Sequence, residues 1–97
     1  MAHRLLQRRL AQASARIKEL REELRIAEDQ LSHLRDETEE KSLRALVAET
    51  PAADFEHREA KKHSDAMTAH RDALLRDIAA AEGRINDLLD RMSEKTS

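Results

Sequence analysis

Cysteine, tryptophan and tyrosine are missing from this sequence, and glycine, proline and phenylalanine occur once each. Without a thiol there is no disulfide, no thiolate metal ligand and no cysteine nucleophile, a usage compatible with a cytoplasmic location. One glycine and one proline supply little of the punctuation that turns require, so the chain bends rarely. A single aromatic side chain offers no platform for stacking successive bases, the usual means of holding a single strand. No apolar run reaches the ~18–20 residues needed to span a bilayer. The 97 residues make one domain and cannot enclose a large globular core.

What the chain does have is charge. Asp, Glu, Lys and Arg supply 39% of it, and the abundance of Ala, Leu, Glu and Arg marks coiled coils and long helices. Low hydropathy with many charges also describes disordered chains. Here 18 basic and 20 acidic residues nearly cancel to a net charge of −2, which argues against disorder. The spacing of the apolar residues argues against it more strongly.

Leu6, Leu10, Ala13, Ile17, Leu20, Leu24, Ala27, Leu31 and Leu34 follow a 3–4 alternation with no charge among them. This is the seam signature of a coiled coil. A second run, Met67, Leu74, Ile78, Ala81, Ile85, Leu88 and Met92, is interrupted once, by Arg71. Between the runs, Thr50 is a good N-cap and Pro51 suits a first helical position, where its missing N–H costs nothing. In a helix interior the same proline would cost about 3 kcal/mol. The expectation is therefore a helix over 3–48, a turn at 49–51 and a second helix over 52–94, with a frayed C-terminus, in a single all-α hairpin over 1–97.

Antiparallel folding imposes a numerical test, because facing residues must have numbers that add to a constant. Leu6 with Met92, Leu10 with Leu88, Ala13 with Ile85 and Ile17 with Ala81 share one sum. Leu20 with Ile78, Leu24 with Leu74, Ala27 with Arg71 and Leu31 with Met67 share it too. Small residues face large ones in two of these layers, which favours interdigitation. An uninterrupted helix kinked at Pro51 would not explain this regularity. Off the seam lie Leu5, Ile26, Leu75 and Leu89; a second apolar face would pair two hairpins into a homodimeric four-helix bundle.

Little here points to chemistry. There is no glycine-rich phosphate loop, nucleophile elbow or H-E-x-x-H, and carboxylates on a solvated helix lack the enclosed pocket that acid–base catalysis needs. No enzyme activity and no cofactor are expected. His33, His63 and His70 fall near the Met67 layer, but no two ligands on one helix have the i,i+4 spacing of a metal pair, and flanking positions of a seam account for them.

Residues 1–25 hold seven basic groups against three acids, and residues 26–49 hold three against seven. Arg4, Arg8, Arg9 and Arg16 are candidate phosphate contacts for nucleic acid, or for an anionic membrane. Asp87, Asp90 and Glu94 of the returning helix lie beside them and cancel much of the field, so neither partner is favoured. Residues 1–18 hold five basic groups and no acid, a bias also found in organelle transit peptides, yet they already belong to the first heptads.

The turn region is the most informative. Thr38 should face Ala60 and Lys41 should face His57, so the seam becomes polar there. Leu43, Leu46 and Val47 lie away from the seam, and Phe55 is the one aromatic. These four either close the hairpin end as a small local core or form an apolar tip flanked by Glu49 and Asp54, suited to docking on another protein.

A long antiparallel coiled coil with an acid-bearing tip resembles the N-terminal hairpin of Gre-type transcript cleavage factors, and Ala53-Asp54-Phe55 followed by Ala60-Lys61 is similar to their tip segment. The likeness covers about a dozen residues. It implies docking in the secondary channel of RNA polymerase. Pro51 and Ala52 stand where those factors carry further acids that help position a metal, so transcript cleavage is not implied. Small helical hairpins of the WXG type have a similar length, but this chain lacks their tryptophan. The leading expectation is a small cytoplasmic coiled-coil adaptor that binds another protein through Leu43, Leu46, Val47, Glu49, Asp54 and Phe55. The alternatives are an electrostatic nucleic-acid binder, a self-assembling structural rod and a polymerase-channel binder.

Overall fold

The computed structural model describes residues 2–96, with side chains placed over 3–94. Two helices, α1 (Ala2–Ala48) and α2 (Pro51–Thr96), account for all but the two linking residues. They pack against each other as an all-α helical hairpin. Alanine, leucine, glutamate and arginine supply the intrinsic preference, and no proline interrupts the interior of either helix. Neither helix would be secure alone, and most of the stability of such pairs comes from burial of one stripe on each.

The link uses a tight device. The Glu49 N–H donates to the Ala45 carbonyl at 3.1 Å, and Glu49 itself adopts φ 51°, the left-handed conformation that ends many helices. Thr50 then caps α2: its Oγ1 accepts the Ala53 N–H at 3.2 Å, while its carbonyl accepts the Asp54 N–H at 3.1 Å. Pro51 stands at the first position of α2, within the helix and not in the turn. Asp54 adds a negative charge in the first turn, beside the positive end of the helix dipole.

The chain divides into two compact units. The first joins Met1–Leu24 to Ala73–Ser97. Leu6, Ala13 and Leu88 form a buried cluster there, with Leu10, Ile85 and Met92 packed against it. Ile17, Leu20, Leu74 and Ile78 are buried as well. Every layer from Leu6–Met92 to Leu24–Leu74 thus consists of two residues at least half-buried, as the shared sum requires. Burying a leucine as fully as Leu20 contributes roughly 2–3 kcal/mol.

The second unit is Arg25–Asp72. Its seam begins with Ala27, opposite half-buried Arg71, and Leu31, opposite Met67. It then turns small and polar through Leu34–Ser64, Thr38–Ala60, Lys41–His57 and Ala45–Ala53, all buried or half-buried. Two threonine hydroxyls in and beside this stretch are satisfied by their own helix. Thr38 Oγ1 donates to the Leu34 carbonyl at 2.8 Å, and Thr68 Oγ1 donates to the Ser64 carbonyl at 3.0 Å. Lys41 reaches across the helices to Glu56 at 3.3 Å. This unit gains little from apolar burial near the turn, where alanines replace leucines.

Candidate interaction surfaces

At the turn end of the second unit, the four apolar residues do not form a local core. Leu43 is 59% exposed, Leu46 72%, Val47 87% and Phe55 54%. The reason lies in the seam. Ala45 and Ala53 share its last layer, and a residue two positions away on a helix is rotated by about 200°. Leu43 and Phe55 are each two residues from those alanines, so both point away from the neighbouring helix. They therefore stand at one level on opposite outer flanks. Leu46 and Val47 follow Leu43 at i+3 and i+4 and share its face. Leu43, Leu46 and Val47 make one apolar patch, and Phe55 is a separate anchor on the other flank.

Charge surrounds these residues. Residues 37–59 hold seven acids and three bases. Two of the bases are engaged: Arg44 with Glu40 at 3.3 Å and Lys41 with Glu56 at 3.3 Å. Glu49 and Asp54 are exposed beside the apolar patch and the link.

The four candidate arginines lie in the first unit and are not brought to one place. Arg9 and Arg16 each follow a seam residue by three positions, and they line an edge groove together with Arg84 from α2. Gln12, Ala13, Ala80 and Ala81 complete that lining. Arg4 and Arg8 fall on other faces and are not part of it. Arg16 pairs with Glu19 of its own helix at 3.4 Å, half-exposed. The opposite edge is organised differently: Arg21 and Glu82, each one residue past a seam position, form an interhelical pair at 3.3 Å. Leu75 and Leu89 occupy that second edge by the same spacing, whereas Leu5, one residue before seam Leu6, does not share it. Within this unit the off-seam leucines therefore do not make one stripe.

His33, His63 and His70 are exposed, and His33 lies 3.9 Å from Asp29 of its own helix. Among the described residues no group of three or more metal-ligating side chains converges. No helix among them is long and apolar enough to cross a membrane.

Sequence reasoning had placed Leu43, Leu46, Val47 and Phe55 off the seam, but it had not separated Phe55 from the others. It missed Arg84 altogether. The signal was available, because Arg9, Arg16 and Arg84 occupy the same heptad position, three residues past a seam residue. Neither a family model, nor a curated protein, nor a solved structure matches this chain.

Proposed function

We propose that this chain is a coiled-coil protein–protein interaction module that docks on a larger partner through the turn end of the hairpin. The observation that carries this reading is the exposure of Leu46 (72%) and Val47 (87%) beside Leu43, in a chain whose other large apolar residues mostly lie in the seam. Apolar side chains that add nothing to the core still cost solubility, and a contiguous exposed group of them is a feature of binding surfaces. Phe55 supplies the kind of aromatic anchor that dominates interface energetics. The acidic surround favours a partner with a basic rim, which would steer encounter and fix orientation. Because apolar residues occupy both flanks at one level, a cleft that receives the end of the hairpin suits it better than a flat surface.

The test is affinity capture from lysate of the source organism, comparing the intact chain with a Leu46→Ser/Phe55→Ser double variant. Both substitutions are at exposed positions and should leave helicity and melting temperature nearly unchanged. A protein retained by the intact chain and lost with the double variant is the expected result. Equal retention by both baits would remove the tip as a docking site.

A further inference from the structure

We propose that the edge groove lined by Arg9, Arg16 and Arg84 is a binding site for a phosphate-bearing ligand that carries at least two negative charges. This site shares no residue with the tip and does not depend on the docking function proposed for it.

Ala13 and Ala81 are small seam residues, and with Ala80 they floor a depression of about 290 Å³ between the helices. Larger side chains there would fill it. Arg9, Arg16, Arg84 and Gln12 complete the lining, and no acidic residue is among them. Arg9 and Arg84 form no ion pair among the described residues, and Arg16 has only its exposed contact with Glu19. The heptad also places Arg16 across from Arg84, and Arg91 across from Arg9.

Like charges facing each other across a coiled-coil edge oppose pairing of the helices. The same chain places complementary charges at its other edge, where Arg21 meets Glu82. The register sets no carboxylate across from Arg9 or Arg16, so the positive charge of this stretch is left for a ligand to balance. A monocarboxylate would leave most of this charge unbalanced. A phosphate group brings more negative charge and several acceptor oxygens, which suit the planar donor fork of arginine. The depression has room for an orthophosphate or diphosphate group resting on the alanine methyls.

The probe is sodium pyrophosphate, titrated calorimetrically into the full chain at constant ionic strength. Saturable binding to one site per chain is expected. Arg84→Ala should weaken it by roughly tenfold to a hundredfold, the loss that accompanies removal of a charge-assisted hydrogen-bonding partner. Arg76→Ala removes the same charge outside the groove and should leave affinity within a few-fold. Arg84 is exposed, so circular dichroism should confirm an unchanged fold. A short DNA duplex distinguishes the source of the phosphate. Duplex binding that pyrophosphate displaces and Arg84→Ala abolishes identifies a nucleic-acid backbone; pyrophosphate binding without duplex binding identifies a free phosphate compound. Absence of saturable pyrophosphate binding, or equal losses in Arg76→Ala and Arg84→Ala with either probe, overturns the proposal.

Discussion

The Thr50 hydroxyl oxygen accepts the backbone N–H of Ala53 at 3.2 Å, one residue after Glu49 has taken a left-handed conformation at φ 51°. Both features belong to a chain that stops one helix and starts another, and each carries its own energetic signature. Removing the cap by Thr50→Ala should destabilise the hairpin by about 1 kcal/mol. Replacing Glu49 with glycine should do the opposite. A side chain in the left-handed region costs about 1 kcal/mol, and glycine occupies that region freely. Thermal unfolding followed by circular dichroism should rank Thr50→Ala below the parent and Glu49→Gly above it, each separated by about 4–8 °C. If the two helices were instead one continuous helix, Glu49→Gly would lower the melting temperature, because glycine in a helix interior is unfavourable.

The register offers a more direct measurement, made simple by the absence of native cysteine. Ala13 and Ile85 share a layer, and both belong to the packed cluster of the first unit. Cysteines introduced as Ala13→Cys and Ile85→Cys should oxidise to an intramolecular disulfide, since facing seam positions bring the Cβ atoms near the separation a disulfide demands. The pair Ala13→Cys with Ala81→Cys is displaced by four residues, about 6 Å along the axis, and should stay reduced or cross-link slowly. Mobility on a non-reducing gel separates the outcomes. An intermolecular product from the first pair, with no faster-migrating monomer, would mean that helices meet between chains instead of within one.

That register could be read in the sequence because it rests on two physical regularities that leave a trace in residue order. Apolar side chains recur at 3–4 spacing when one stripe is buried, and antiparallel partners must share a constant sum. Leu6 through Leu31 carried both. Ser64, only 8% exposed, gave no sign of burial in its own polarity; the sum alone, by setting it opposite Leu34, placed it in the seam. The left-handed Glu49 was equally silent, since the glycine that usually marks such a position is absent. The interaction surfaces lay between these extremes. Periodicity placed Leu43, Leu46, Val47 and Phe55 off the seam, but the separation of Phe55 onto the other flank follows only once Ala45 and Ala53 are known to share a layer. Arg84 is remote from Arg9 and Arg16 in the chain, and only their shared heptad position, taken with the register, joins them.

The interruption of the second apolar run supplies the last test. Arg71 is half-buried opposite Ala27, with its Nε donating to the Asp72 carboxylate at 2.8 Å. Its alkyl stem can cover the alanine while the guanidinium reaches the solvated edge near Glu28, Ser32 and Asp36. A polar residue at a single seam position lowers stability and in return disfavours alternative registers. The Asp72 contact does little to offset the loss, because its side chains are 25% and 47% exposed and pairs so accessible to water contribute at most about 1 kcal/mol. Arg71→Leu should therefore raise stability by about 1 kcal/mol through added apolar burial, or roughly 4–8 °C in melting temperature. It should also relax the specification of register, visible as faster cross-linking of the displaced Ala13→Cys/Ala81→Cys pair in the Arg71→Leu background. A lower melting temperature would show instead that Arg71 holds the second unit together through its charge. A higher one with unchanged cross-linking would locate the register in the leucine layers alone.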